Sequence, residues 1–555
     1  MLRKVVTGIL IFSMLLSMVG CQNKDDNGSK NAVSDDKKTD TASGGKEDTN
    51  KTPAEINWWD KYDEPVKITT AMKDSPIPVF PEGDTMTSNV WTRAYKEKFN
   101  IDVVTDWITE DTQYDTKLNL AITSGDLPDT FVVSLTQLKQ LIAANMVMDL
   151  TEVYEAYGSD SLKKHMNADA DTFNTAKVDG KLYAIPRMHF GNIEQIDQLW
   201  LRKDWMEANN LKAPKTIKEM EDICLTFIDQ YGGSGLSIEQ NLYGLQVLAP
   251  SWHATPGVWT EDADGNIVYG SVQPAMKDAL ATWADWYKKG IINQDFAATD
   301  WAGMMAKVVS GEVGVMPWFQ WWGYSPGPDV VTNFGPEAIF EPHFLPSADG
   351  EKVIQPVNFA NTEYVVVNKK CKNPEAVLKL LNFYTYINRE AQGKETKEYL
   401  AEFIDGSRHV AAGTFVVRDV LGDYHQVDAI RKVLDTGDES MLTSSAARKY
   451  EVIKDFIDNK TPASVGDYMQ QGHEKSAYGI GKQVLDNGDF FLSKLWGDSP
   501  DELLRYGTTL DDLLLEGFTK IIMGAEPIDY FDELVKQWKS AGGEQVTKAM
   551  NEMYN

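Results

Sequence analysis

The sequence predicts an α/β protein large enough to form two lobes, and three observations carry that reading. From Pro65 onward, short runs of strand character are followed in turn by helical patterns, the arrangement of strands joined by crossover helices. About 500 residues, from 58 to 555, have this character, more than one hydrophobic core usually serves. No internal repeat appears at solenoid spacing, so the length belongs to globular lobes rather than to an array.

The first twenty residues form a targeting segment. Arg3 and Lys4 make a basic start, Val5 to Val19 an apolar core too short to span a bilayer comfortably, and Val19-Gly20-Cys21 a small-residue cleavage site. The segment resembles a bacterial lipobox, with Met18 where that pattern prefers Leu. The resemblance implies cleavage before Cys21 and a diacylglyceryl group on its sulfur. With or without a further acyl group on the amine, two or more chains anchor stably where one would not. Residues 21–57 are Asp, Lys, Asn, Ser, Thr and Gly with almost no apolar side chain, a composition that cannot offset the entropy of ordering. They are expected to be a disordered tether.

The folded part opens on a strand, Pro65 to Thr70, followed by a Pro-rich loop to Asp84 and a helix through Phe99. Ile101 to Val104 is a second strand, Gln113 to Thr123 a helix, Phe131 to Ser134 a third strand and Thr136 to Ala144 the next helix. This regular alternation predicts a parallel sheet. Further on, Val313 to Met316 reads as a buried strand that Pro317 should end, because proline has no N–H to donate. Trp318, Phe319, Trp321 and Trp322 then fall at the carboxyl end of a strand, where ligands bind in open α/β sheets. Indole planes suit the apolar faces of pyranose rings, and the indole N–H can meet a hydroxyl, so this stretch is a candidate sugar-binding wall. The competing reading is that the aromatics are core; adjacency makes Trp321 and Trp322 point apart.

A net charge of -29 argues against nucleic acid or anionic lipid as a partner. Besides Cys21 the chain has Cys224 and Cys371, read as buried free thiols. There is no G-x-S-x-G elbow, no H-E-x-x-H and no phosphate-cradling loop, and the seven histidines have no ligand spacing, so no enzyme is expected. A secreted glycosidase, which needs only two opposed carboxylates, is the rival from the enzyme class. A lipoprotein that binds peptides or acts as a co-receptor is the other.

Six motifs occur in order along the folded part: Ser124 to Asp129 (SGDLPD); Asp179 to Pro186 (DGKLYAIP); Leu199 to Trp205 (LWLRKDW); the helix Met305 to Gly311 before the Trp stretch; Tyr364 to Val367 with Asn373 to Ala376; and Phe518 to Gly524 (FTKIIMG). Together they resemble the family 1 extracellular solute-binding proteins of the maltodextrin-binding type, in their long Gram-positive lipoprotein branch. The resemblance implies a two-lobed periplasmic-binding-protein-like fold of type II, hinge crossings near Pro186 to Ile193 and Asn358 to Tyr364, and a helical C-terminal region. Lobe one would hold 58–187 with about 360–390, and lobe two 190–357 with most of 391–555. It also implies an oligosaccharide caught between the lobes and handed to the permease of an ABC importer. The protein would be a monomer held at the extracellular face of the cell membrane by its lipid alone.

Strand ends and hinge segments then nominate Asp84, Asn89, Ser134 and Thr136 in lobe one, with Thr136 equally placed as a helix cap. Arg187 and His189 are nominated at the crossing, and Trp252, His253, Trp259 and Arg202 in lobe two. Some long relatives carry a calcium loop, but Tyr231 to Leu236 lacks the carboxylate spacing, and Glu261 to Asn266 would put Thr260 and Ser271 where carboxylates are needed. The latter reads as a hairpin with Asp264-Gly265 at its tip. No metal and no cofactor are expected.

Overall fold

The computed structural model describes residues 56–74, 80, 82–188, 196–359, 363–391 and 415–555. The signal segment, Cys21, nearly all of the tether, His189 and parts of both expected hinge crossings lie outside the described residues.

Fourteen strands occur among them. The first six are β1 Val66–Asp74, β2 Ile101–Glu110, β3 Thr130–Val133, β4 Lys177–Val178, β5 Lys181–Leu182 and β6 Ala184–Pro186. Next come β7 Asp197–Arg202, β8 Trp259–Glu261, β9 Ile267–Tyr269, β10 Val315–Phe319 and β11 Phe340–His343. The last are β12 Gln355–Val357, β13 Tyr364–Val367 and β14 Phe490–Leu492.

The larger sheet has the order β2-β1-β3-β13-β6. β1 pairs in parallel with β2, from Val66 opposite Ile101 to Asp74 opposite Glu110, and with β3 at Thr70 opposite Thr130. β13 returns between β3 and β6 and is antiparallel to both, with Tyr364 opposite Val133 and Pro186. The sheet is therefore mixed, where alternation alone predicts a parallel one: local pattern identifies strands but not the direction of one that returns from 180 residues away. All four residues of β3 and of β13 are buried, as expected of strands covered on both faces.

The helix Val90–Phe99 covers one face with Trp91, Tyr95 and Phe99, each set edge-on or tilted against Phe383 of the helix Pro374–Arg389. It begins at Val90, not Asp84, because Asn89 caps it: the Asn89 carboxamide accepts from the N–H groups of Trp91 and Thr92, and Thr92 answers through its hydroxyl.

The smaller sheet, order β10-β7-β11, is antiparallel throughout. Strand alternation sends Leu199, Leu201 and Val315 into a core with Phe227, Trp283 and the C-terminal residues Leu514, Phe518 and Trp538. Trp200, Met316 and Trp318 go to the opposite face with Val308, Val330, Phe340 and Met469. Val313 and Gly314 lie before the strand, and Pro317 lies inside it, opposite Leu199. That corrects the expected stop at Pro317. β10 is an edge strand, so the side on which proline offers no donor faces no partner. β8 and β9 form the hairpin expected at Asp264-Gly265, where the Asp262 carboxylate accepts the N–H groups of Asp264 and Asn266.

Cys224 and Cys371 are unbridged and buried, each in the core of a different sheet. A loop after β14 joins the two regions: Trp496 lies 5.4 Å from Phe359, Asp498 pairs with Lys139, and a Cβ at Gly497 would sit 3.3 Å from Thr175.

Candidate functional site

The antiparallel register of β7 and β10 brings the start of one strand to the end of the other, with Asp197 opposite Phe319 and Gln198 opposite Trp318. At this edge four chain segments converge. Trp318 packs at 4.6 Å against Tyr243, 5.2 Å from Trp301 and 5.5 Å from Trp322. Phe319 lies 6.3 Å from Tyr243 and 6.5 Å from Trp321. Exposure sorts them. Trp301 is 44% and Trp321 37% exposed, whereas Trp318 is 7% and Trp322 1%. Trp321 and Trp301 are therefore open to solvent, Trp318 supports Trp301 from behind, and Trp322 turns inward at 90° to Phe340. Trp321 and Trp322 do diverge, as their adjacency requires.

Tyr243 reaches this edge because Leu242 adopts a left-handed conformation, φ 62°, that turns the chain into the helix Tyr243–Leu248. Burial, reinforced by the carboxyls of Asp197 and Glu239, pushes the Tyr243 phenol far above its usual range. The Asp197 backbone is clamped by Gln355, which accepts its N–H at 2.8 Å and donates to its carbonyl at 3.0 Å. Its carboxyl makes no hydrogen bond or ion pair among the described residues, and burial pushes it up to about 8. Glu239 is 7% exposed and likewise has no side-chain partner among the described residues. The edge thus joins aromatic planes to a phenol and two uncommitted carboxyls, the groups that stack on sugar rings and bond hydroxyls.

The carboxyl ends of the larger sheet are different. Lys73 at the end of β1 meets Glu363 at 3.0 Å and Asp111 at 3.2 Å, and Arg187 just after β6 meets the other Glu363 oxygen at 2.9 Å. Burial works against the Lys73 charge, but Glu363 and Asp111 outweigh it and the net shift is upward. Tyr114 lies under Lys73, at 5.2 Å, and donates its hydroxyl to the Val132 carbonyl.

Other nominated residues have structural duties. Ser134 caps the helix Leu135–Ala143 in a reciprocal pair with Gln137, so Thr136 is not the cap and stands exposed. Asn89 is the fully buried cap described above, and Asp84 holds Arg93 through two bonds of 2.7 and 3.0 Å. Arg202 is buried, bonded twice to Asp204 and stacked at 4.8 Å on Trp205 and 5.1 Å on Phe334. Trp252 packs edge-on to Trp283 and Trp286, and Trp259 against Tyr269, both within the core. His253 is exposed, 3.1 Å from Asp349. His189 lies outside the described residues. The structure thus groups Trp318, Trp321 and Trp322, with Arg187 at the other sheet's edge, and separates the rest.

Sequence reading missed Trp301, Tyr243, Asp197 and Glu239. Asp197 carried a usable signal, an acid at the start of a strand just past a crossing; Glu239 carried none. A cavity of about 600 Å³ lies elsewhere, flanking β11 between Pro214, Phe344, Arg431 and Lys475. A second of about 290 Å³ adjoins it across Ala213, His343 and Lys475. Phe344 is the one aromatic in either lining, so neither offers facing planes to a sugar. Among the described residues no cluster of three His, Cys, Asp or Glu could hold a metal.

The family model described as bacterial extracellular solute-binding protein matches residues 77–385. Lipoprotein LipO of Bacillus subtilis (strain 168) is 21% identical over 477 residues, spanning 81% of this chain and 85% of its own. The polygalacturonan/rhamnogalacturonan-binding protein YtcQ of the same organism is 20% identical over 487 residues, spanning 82% and 86%. Among solved structures, an EF-hand mutant of the Streptococcus pneumoniae ABC-transporter substrate binding protein FusA in complex with fructo-nystose superposes with a TM-score of 0.53. The identity is 15%, over 88% of this chain and 98% of that one. These likenesses show the two-lobed solute-binding fold.

Proposed function

The chain belongs to the bacterial extracellular solute-binding protein family, and on that premise we propose that it captures an oligosaccharide for the permease of an ABC importer. Membership makes it a binding protein and not an enzyme. The observation that carries the sugar assignment is the edge where Trp301, Trp321 and Phe319 stand beside Tyr243, Asp197 and Glu239. Stacking planes with hydroxyl-bonding groups between them match a pyranose or furanose chain better than an extended peptide, whose backbone needs a strand edge or a row of amides.

In this reading residues 58–187 with about 360–390 form lobe one, and residues 190–357 with most of 391–555 form lobe two. The lobes close as a hinge because the ligand bonds both only in the closed form. Lobe one contributes the Arg187–Glu363–Lys73 group. The lipobox-like Val19-Gly20-Cys21 supports a diacylglyceryl anchor on Cys21, in keeping with the name of the LipO relative. The protein would then act as a monomer on the outer face of the cell membrane.

Thermal unfolding of the full chain against panels of oligosaccharides and oligopeptides, with the ligand recovered afterwards, tests the proposal. A rise in Tm with one glycan class and intact ligand is the expected result. A response to peptides alone overturns the sugar assignment.

A further inference from the structure

The substrate class can be narrowed by charge, an inference that rests on the proposed oligosaccharide site. Three stretches build the aromatic edge: Gly232 to Met276, which holds Glu239 and Tyr243; Gly290 to Ala306, which holds Trp301; and Val308 to Glu351, which holds Trp318, Phe319 and Trp321. None of the three contains a lysine or an arginine. Of the cations in the gaps between them, Lys277, Lys289 and Lys307 are bound to Asp532, Glu221 and Asp295 at 2.8, 2.8 and 3.1 Å, and Lys288 is exposed. Among the described residues, Asp197 and Glu239, the ionisable carboxyls of the edge, have no cation partner, and Glu239 is more than nine-tenths buried while its carboxylate accepts no bond. At the larger sheet's edge, Lys73 and Arg187 are each already matched to Glu363, with Asp111 a second partner for Lys73.

From this distribution we infer that the site takes an uncharged oligosaccharide and excludes chains of uronic acid. A uronate carboxylate entering the aromatic edge would lose water without gaining a cation, beside acids that already lack one; leaving a buried charge unpaired is among the costlier errors in recognition. The desolvation that raises the Asp197 carboxyl would penalise a ligand carboxylate in the same way. A neutral sugar meets no such cost. Its hydroxyls can donate to Glu239 and exchange bonds with Asp197 and Tyr243 while its ring faces lie on Trp301 and Trp321. Glu239 is then the specificity-determining residue, since it is the acceptor that a hydroxyl satisfies and a carboxylate cannot. The YtcQ relative, a polygalacturonan/rhamnogalacturonan-binding protein, matches this chain at 20% identity, a distance at which such a charge pattern is free to differ.

The test is a calorimetric titration of the full chain, at neutral pH and moderate salt, with neutral gluco-, xylo-, arabino- and fructo-oligosaccharides and with oligogalacturonates and oligomannuronates of matched length. Binding of a neutral series at least about tenfold tighter than any uronate is the expected result, a difference of about 1.4 kcal/mol. The variant Glu239→Gln should weaken the neutral ligand and narrow the gap to the uronates, and Trp321→Ala should weaken the neutral ligand about tenfold. Uronates binding as tightly as neutral chains would overturn the charge inference and leave the sugar site standing. Neutral binding that neither variant alters would place the ligand elsewhere and overturn it too. Should neither glycan class bind, the sugar reading falls and takes this inference with it.

Discussion

The two sheet edges solve the burial of polar groups in opposite ways. At the larger sheet, Lys73, Arg187, Glu363 and Asp111 neutralise one another in contacts of 2.9 to 3.2 Å. At the smaller sheet, the carboxyls of Asp197 and Glu239 have no counter-charge among the described residues. A matched ionic group is neutralised without a ligand, and the Arg187 Nε, buried and without a hydrogen-bond partner among the described residues, can donate to a hydroxyl without the group being opened. An acid such as Asp197, whose carboxyl burial raises, carries a desolvation cost that a hydroxyl-bearing ligand relieves. The larger-sheet edge is therefore a prepared frame, and the smaller-sheet edge is the place where ligand binding recovers free energy.

The strongest way to break this contrast is to remove the support of the aromatic edge. Trp318 is 7% exposed and touches Tyr243, Trp301, Phe319 and Trp322. Trp318→Ala should cost about 3–5 kcal/mol in denaturant unfolding and abolish ligand binding. A loss below about 1 kcal/mol would mean that the ring is not the support described. Next is the neutralised frame. Glu363→Ala leaves Arg187 and Lys73, with side chains 17% and 34% exposed, short of a counter-charge. The expected loss is about 1–3 kcal/mol, discounted at Lys73 because it is partly wet and keeps Asp111. Unchanged stability in low salt would show that these charges are solvated and not a frame.

How much of this was legible in the sequence follows from where the information lies. The strands β1 to β3 and their helices could be read because each is specified by its own pattern, and the capping residues Asn89 and Ser134 only corrected boundaries. The mixed direction of the larger sheet and the place of Pro317 inside β10 could not, because both depend on which strand lies alongside. The Trp stretch was found as a stretch, yet burial divided it: a run of tryptophans does not say that Trp321 faces out while Trp322 faces Phe340. Trp252 and Trp259 look identical in sequence to ligand-facing tryptophans and are core, since what covers them, Trp283, Trp286 and Tyr269, comes from later segments. Asp197 is unusual only because Phe319 of β10 comes to lie opposite it and Tyr243 comes near it.

Asp197 gives the contrast a pH dependence. Burial raises its carboxyl to about 8 from an ordinary 3.8, so between those values the folded protein keeps a proton that the unfolded chain has lost. Its contribution to stability is full below about pH 4 and is lost as pH rises through about 8. Asp197→Asn, which needs no proton to stay neutral, should therefore gain in Tm over the parent, and gain more at pH 9 than at pH 5. The change is expected to be a few degrees. Parallel curves for variant and parent would show that the carboxyl is solvated, and the smaller-sheet edge would lose its distinguishing cost.

The smallest effect on stability should accompany one of the clearest effects on binding. Trp321 is 37% exposed and hangs from the short turn Gln320–Gly323, so little of the fold rests on its ring; its neighbours Phe319 and Tyr324 are 6.5 and 6.4 Å away. Trp321→Ala should change unfolding free energy by no more than about 0.5 kcal/mol, yet a plane that stacks on a sugar ring is an aromatic anchor whose loss costs about 1–2 kcal/mol of binding. Trp322→Ala, one residue along and 1% exposed, should do the reverse, costing about 3–5 kcal/mol in stability because its ring fills the core against Phe340. The pair separates the two meanings of an aromatic run at a strand end. If both variants lose stability alike, the stretch is core throughout; if Trp321→Ala alone leaves the fold intact and weakens the glycan, the wall begins where the side chain first turns outward.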